Sequence, residues 1–170
     1  RKRAASLDQF AYSSLDMCND MYVDMKEYVA ANKNCPVYGI GLGDIVHQDL
    51  TLLDQYREGM SATGLTTYNV IGNHDQEHKL DMSDEEASKA YEAIMGPANY
   101  SFNLGEVHYL MLDNMMSQDG KYSDDCATGL TDEIWEWVKA DLAHVSPDTP
   151  LMVCAHSPMM RLHNGKERSG

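Results

Sequence analysis

Helix-like and strand-like segments alternate along the first half of the chain, and this alternation limits the fold more than any other feature. Apolar residues recur at the three-then-four spacing of an amphipathic helix over residues 7–29, and a short apolar run follows at residues 37–42. A second helical pattern, capped by Asp49, continues to about Met60, and residues 66–71 form another strand-like run. Such alternation predicts right-handed crossovers and a mostly parallel sheet covered by helices.

The second half predicts two more helices and a mixed sheet. Ser83 opens one helix with a Ser-x-x-Glu capping box, and Thr131 caps the other. The Thr131 helix is expected to bury one face made of Ile134, Trp135, Val138 and Leu142. An antiparallel pair of strands is expected within residues 100–112 and a last strand at residues 151–155, with irregular chain from Ser157 onward.

Composition excludes several classes of function. With 170 residues the chain fits one domain, and its net charge of −14 argues against a partner that is bound through a phosphate backbone, such as nucleic acid. No stretch approaches the roughly 20 apolar residues of a membrane span, so we expect a soluble domain. The four cysteines show no C-x-x-C spacing, so they do not indicate in which cellular compartment the protein is found. An extracytoplasmic location is expected only if a signal peptide precedes these residues.

Polar and metal-binding side chains stand directly after three of the expected strands. Asp44 follows the first strand, residues 72–75 (Gly-Asn-His-Asp) follow the second, and His156 follows the last. Because such strand ends gather at one edge of a sheet, we expect these side chains to converge. Taken singly, Asp44 is typical of a turn or helix cap, and His156 of a hydrogen-bonded loop histidine. The remaining histidines are expected at the surface or in packing: His47, His78, His108, His144 and His163.

In this order, Gly43-Asp44, residues 72–75 and Ala155-His156 resemble three sequence blocks of the calcineurin-like metallophosphoesterase superfamily, particularly its bacterial members. The resemblance covers most of the chain. It implies a mixed, mostly parallel sheet sandwich flanked by helices, in the order α/β/β/α. It also implies hydrolysis of phosphate mono- or diesters at a site that holds two divalent metals, which are Mn, Fe or Zn.

The resemblance also assigns roles to the residues of the three blocks. Asp44 would bridge the two metals, while Asn73 and His156 would complete the ligands of one of them. His74 would protonate the departing alkoxide. Asp75 would hydrogen-bond the other ring nitrogen of His74 and so fix its orientation.

Two further blocks of the family, Asp-x-His (or Asp-x-Gln) and Gly-His-x-His, are absent from the 170 residues. We therefore expect residues 1–170 to be a single partial domain, truncated at both ends. Such a chain would bind at most one metal, weakly. Its unpaired sheet edges would permit a strand-exchange oligomer.

Two hypotheses about function follow. In the first, the parent protein is a metal-dependent phosphoesterase, and whether this chain alone is an enzyme stays open. In the second, the chain is a non-catalytic binding or structural module that keeps the fold without a complete metal site. His74 and Asp75 serve proton transfer only, so their presence favours the first. The substrate is expected to be a phosphorylated small molecule or another phosphoester, and Arg161 is either a contact to its phosphate or a solvated side chain.

Overall fold

The structure, a computed structural model, describes the backbone of residues 4–77, 83–116, 127–158, 160–163 and 166–169, and side chains within residues 16–77, 83, 85–116 and 128–158. This part of the chain is a mixed α/β protein with four α-helices and several small sheets. The helices are α1 (Ala4–Ala31), α2 (Leu52–Thr63), α3 (Asp84–Met95) and α4 (Asp132–Leu142). The strands are β1 (Tyr38–Gly41), β2 (Thr66–Asn69), β3 (Tyr100–Leu104), β4 (Val107–Leu112), β5 (Met115–Met116), β6 (Ala127–Thr128), β7 (Leu151–Ala155), β8 (Met160–His163) and β9 (Lys166–Ser169).

The chain divides into two compact units, and the first consists of Arg1–Gly39 and Asp54–Thr67. It contains α1 and most of α2. The apolar stripe expected along α1 is only partly covered, since Tyr22 and Val29 are half-buried while Tyr28 is 62% exposed. The length and position of the helix are as predicted, within a few residues.

The second unit consists of Ile40–Leu53 and Tyr68–Gly170 and contains a three-stranded sheet in the order β3-β4-β7. The pair β3–β4 is antiparallel, which confirms the expected hairpin, and β4–β7 is parallel, with Leu112 opposite Ala155 as the last pair. The pair β1–β2 forms a separate two-stranded sheet. The parallel pair β4–β7 brings the carboxyl ends of two strands to the same edge.

Three clusters of buried side chains form the core of the second unit. The first cluster consists of Val46, Leu53, Ile71, Tyr91 and Ala98. The second joins β4 to β7 and to residues next to β2: Val70, Met111 and Cys154. The third joins β4 to α4: Leu110, Leu112 and Val138. Apolar contacts of this kind contribute roughly 25 cal/mol for each Å² of apolar surface removed from water.

The caps predicted at Ser83 and Thr131 are present, but the buried face of α4 differs from the prediction. Asp49, the third predicted cap, lies three residues before the start of α2, and its carboxylate accepts from the N–H of Thr51 at 3.2 Å. The Ser83 hydroxyl accepts from the Glu86 N–H while the Glu86 carboxylate accepts from the Ser83 N–H, and Thr131 caps α4 through the N–H of Ile134. Trp135, expected in the core, is 49% exposed. Trp137 packs against the third cluster in its place. Trp135 and Trp137 project on either side of Ile134 around the axis of α4. The rotation of the helix about this axis therefore decides which of the two side chains is buried.

The chain beyond Ser157, expected to be irregular, forms the antiparallel pair β8–β9. The segment after β4 includes β5 and β6, which also pair antiparallel. The backbone of Arg161 lies in β8, opposite Arg168. The Arg161 side chain lies outside the described residues, so its contact to phosphate stays a prediction. None of the helices in the described part of the chain has the length and apolar character needed to cross a membrane.

Candidate functional site

Two glycine turns lie against each other at the base of the site. A Cβ atom on Gly43 would come within 2.6 Å of Nδ1 of His156 and 2.9 Å of the Gly72 backbone. A Cβ atom on Gly72 would overlap the backbone nitrogen and Oδ1 of Asp44. Gly43 also has φ +87°, a conformation that side chains disfavour. The two glycines therefore allow the chain segments that carry Asp44 and Asn73 to approach each other.

The three predicted metal ligands, Asp44, Asn73 and His156, converge next to these turns. Nε2 of His156 lies 3.2 Å from Oδ1 of Asn73 and 3.3 Å from Oδ1 of Asp44. The three side chains are contributed by the chain after β1, the chain after β2 and the end of β7. The predicted convergence of these residues is therefore present.

The hydrogen bond on the other side of the His156 ring determines what Nε2 offers. Nδ1 lies 2.7 Å from the carbonyl oxygen of Leu42, which only accepts, so Nδ1 carries the proton and donates it. With a neutral ring, Nε2 presents a lone pair to two oxygen acceptors. Contact of such a lone pair with these two oxygens is unfavourable unless a proton or a metal cation lies among them. A histidine held this way by a backbone carbonyl has the tautomer of a typical metal ligand.

The spacing of the three atoms also fits a metal ion. Bonds of about 2.0–2.2 Å in tetrahedral or octahedral geometry place neighbouring ligand atoms about 2.8–3.6 Å apart. The separations of Nε2 of His156 from Asn73 and Asp44, 3.2 and 3.3 Å, lie in that range. Within the described residues, no group of three His, Cys, Asp or Glu side chains could hold a metal. Asp44 and His156 are two such side chains, and the amide oxygen of Asn73 lies 3.2 Å from Nε2 of His156.

Asp75 does not orient His74, contrary to the prediction. The Asp75 carboxylate is fully buried and accepts from the N–H groups of Val46 and Gly72, both at 2.9 Å. Nδ1 of His74 is buried and has no hydrogen-bond partner among the described residues. The two residues are consecutive in the 3₁₀ turn Asn73–Asp75, and side chains at adjacent helical positions do not face each other. Asp75 therefore holds the turn together instead of fixing the imidazole.

The environment of Asp75 also affects its ionisation. Burial raises the pKa of the Asp75 carboxyl above its ordinary value. The backbone N–H groups of Val46, Gly72 and Ile45 oppose this rise, whereas the nearby Asp44 carboxylate adds to it. The hydrogen bonds compensate in part for the removal of this carboxylate from water.

His74 is held instead by its backbone and by a second histidine. Its N–H donates to Oδ1 of Asp44 at 3.1 Å, and its carbonyl accepts from the N–H of Gln48 at 3.0 Å. Its ring centroid lies 4.3 Å from that of His47, with the rings tilted by 50°. His47 is exposed, as predicted, but its position beside His74 was not expected.

The other histidines lie away from the site or outside the described residues. His144 is exposed, and His108 is buried between Asn103 and Asp141, each 2.8 Å from one ring nitrogen. Both fit the expected surface or packing roles. The side chains of His78 and His163 lie outside the described residues.

Sequence reasoning missed the backbone groups at the site, because a carbonyl such as that of Leu42 or an N–H such as that of Val46 has no residue-specific signal. His47 could have been found from its position three residues after Asp44. Comparison with known proteins gave no matching family model and no matching curated protein. The similarity to metallophosphoesterases therefore stays a prediction based on the three sequence blocks.

Proposed function

We propose that this chain provides part of the active site of a metal-dependent hydrolase of phosphate mono- or diesters, with the α/β/β/α sandwich of the calcineurin-like metallophosphoesterases. The observation that carries the proposal is the convergence of Asp44, Asn73 and His156 from separate strand ends, with Oδ1 of Asn73 at 3.2 Å and Oδ1 of Asp44 at 3.3 Å from Nε2 of His156. The acidic chain, with a net charge of −14, disfavours nucleic acid as the substrate.

Asp44, Asn73 and His156 would hold one divalent cation, Mn, Fe or Zn, in an oxygen and nitrogen environment. Such a cation supplies a Lewis acid for phosphate oxygens and lowers the pKa of water. The carboxylate of Asp44 supplies the negative charge of the site, while the bond from Nδ1 to Leu42 keeps the His156 ring in its binding orientation. A second cation of the family site would find only Asp44 here, so one weakly held metal is proposed for this chain.

His74 would act as the general acid that protonates the leaving alkoxide. Its backbone bond to Asp44 couples its position to the metal ligands. The ring of His47, not Asp75, lies against the imidazole and limits its rotation.

A non-catalytic binding or structural module is the second candidate, and one observation favours it. Both carboxylate oxygens of Asp75 accept backbone N–H groups, one from Val46 and one from Gly72, and these hydrogen bonds hold the turn together. Asp75 therefore has a structural reason to be present whether or not proton transfer occurs. Only His74 remains as a residue whose presence points specifically to catalysis.

Metal binding is tested by calorimetric titration of the chain with Mn²⁺, using His156→Ala and the control His144→Ala, which removes an exposed histidine beyond α4. We expect one binding event in the wild type and in His144→Ala, and none in His156→Ala. Equal heats for wild type and His156→Ala would refute the proposed metal site.

Catalysis is tested by Mn²⁺-dependent hydrolysis of p-nitrophenyl phosphate and bis(p-nitrophenyl) phosphate, with any sequence that flanks the 170 residues in the gene included. We expect His74→Ala to lower kcat by about 100- to 10,000-fold while metal binding persists. A folded protein that binds Mn²⁺ but does not turn over either ester would support the non-catalytic candidate.

We also propose self-association through β7, which lies at one edge of the β3-β4-β7 sheet. Its consecutive residues Leu151, Met152 and Val153 are 45%, 44% and 41% exposed, so both faces of this strand are uncovered. A second copy adding a strand here would bury them. Sedimentation should show a dimer that Val153→Lys reduces to monomer, and a wild type that is monomeric at all concentrations would contradict this.

A further inference from the structure

Asn114 makes a pair of buried hydrogen bonds directly beside the metal-ligand histidine. It is the second residue after β4 and is fully buried. Its Nδ2 donates to the carbonyl oxygen of Ser157 at 2.6 Å, and its Oδ1 accepts from the Ser157 N–H at 3.1 Å. One side chain thus binds both backbone polar groups of the residue that follows His156.

The position of this pair follows from the register of the sheet. The parallel ladder between β4 and β7 ends at Leu112 opposite Ala155. Two residues further along each strand, Asn114 stands opposite Ser157. A side-chain amide has the same donor and acceptor as a peptide group, so Asn114 extends the ladder past the point where the strands end.

His156 is therefore fixed on both sides in the chain. Ala155 before it is paired with β4, and Ser157 after it is bound by Asn114. The ring itself is held by Leu42 through Nδ1. The backbone of His156 has little freedom left, and its Nε2 stays 3.2–3.3 Å from Asn73 and Asp44.

We propose that Asn114 is a positioning residue that sets the place and tautomer of His156. As far as metal affinity is concerned, the inference rests on the proposed function, whereas the orientation of His156 does not depend on it. Outer residues that orient a metal-binding histidine typically change metal affinity by about 10- to 100-fold. Loss of the Ser157 bonds would let His156 move from Leu42 and would mix its two tautomers.

The test compares Asn114→Ala with the control Asn99→Ala. Asn99 also bonds a backbone N–H of the same loop, that of Asp113 at 2.9 Å, but does not reach Ser157. Nitrogen-15 NMR of the imidazole rings at one pH, without metal, reports the tautomer of His156. We expect a single Nδ1–H tautomer in the wild type and in Asn99→Ala, and averaged shifts in Asn114→Ala. Mn²⁺ affinity should fall about 10- to 100-fold in Asn114→Ala only.

Asn114→Asp serves if Asn114→Ala does not fold, because it keeps the size and the acceptor of Asn114 but loses the donor to the Ser157 carbonyl. Averaged His156 shifts in Asn114→Asp would support the inference. Identical His156 shifts in the wild type and in the folded Asn114 variant would overturn it. If the wild type bound no Mn²⁺, the proposed function would fail, and the NMR comparison would still decide the role of Asn114.

Discussion

Replacement of Gly72 by alanine is the sharpest test of how the site is assembled. Gly72 has φ −109° and ψ 172°, an extended conformation that alanine adopts without strain. The added Cβ would nevertheless overlap the Asp44 nitrogen and lie 3.0 Å from the Gly43 carbonyl carbon. These are backbone atoms, so a side-chain rotation cannot relieve the clash.

The expected cost follows from these contacts. Overpacking against rigid atoms costs about 1–3 kcal/mol. Separation of the two turns also weakens the bonds from Gly72 N–H to Asp75 and from His74 N–H to Asp44, at about 1 kcal/mol each. Alanine also lowers the conformational entropy of the unfolded chain, and this offsets about 0.5 kcal/mol of the loss in stability. We therefore expect Gly72→Ala to lower the free energy of unfolding by about 3 kcal/mol.

Gly105→Ala provides the control, because Gly105 has φ +61° and no atom within 4 Å of an added Cβ. Its expected loss comes from backbone conformation alone and is about 1 kcal/mol. Urea unfolding followed by circular dichroism measures both losses. Mn²⁺ titration should show binding lost in Gly72→Ala and kept in Gly105→Ala. If Gly72→Ala lost no more stability than Gly105→Ala and still bound Mn²⁺, the turns would not be in contact as described.

Three further predictions test the packing and the ionisation of single side chains. Trp137→Ala should lower the free energy of unfolding by about 2–3 kcal/mol and Trp135→Ala by under about 0.5 kcal/mol in urea titrations, because only Trp137 packs against the core. Burial raises the pKa of Tyr100 from 10.0 to about 12, so the stability of wild type relative to Tyr100→Phe should decrease as pH rises from 10 to 12, and a constant difference would contradict this. The bonds from Ser83 lower the pKa of Glu86 below 4.5, so the advantage of wild type over Glu86→Gln in urea unfolding should be present at pH 7 and disappear as pH falls below 4.5.

The sequence predicted the helices and most strands because each has local causes. Ser83 and Thr131 mark where α3 and α4 begin, since their hydroxyls satisfy backbone N–H groups that the helix leaves free. Spacing did not decide which tryptophan of α4 is buried. Trp135 and Trp137 flank the same apolar line, and the choice depends on how α4 packs against β4. Local pattern also missed β8 and β9, because the alternation in β8 spans four residues only and β9 contains no apolar residue.

At the site, too, the sequence predicts what depends on local pattern and does not predict what depends on packing between distant residues. Asp44, Asn73 and His156 were expected together because each follows a strand, and they do lie together although β1 and β2 form a sheet separate from that of β7. The direction of each side chain depends on neighbours that are distant in the sequence. Asp75 was expected to bond His74 and instead bonds Val46, a residue 29 positions earlier in the chain. Contacts of this kind have no signature in the spacing of a motif.

Asp44 links the strain of the backbone to the chemistry of the site. It has φ +54°, a left-handed conformation that costs a side chain roughly 1–2 kcal/mol and that glycine would adopt freely. Stability alone would therefore favour glycine at this position. Among the described residues, the carboxylate there accepts one backbone N–H, that of His74, and its Oδ1 lies 3.3 Å from Nε2 of His156. A residue that keeps this conformation against its cost has a function if a divalent cation binds between its carboxylate and His156, and we propose that this cation is the reason for the strain.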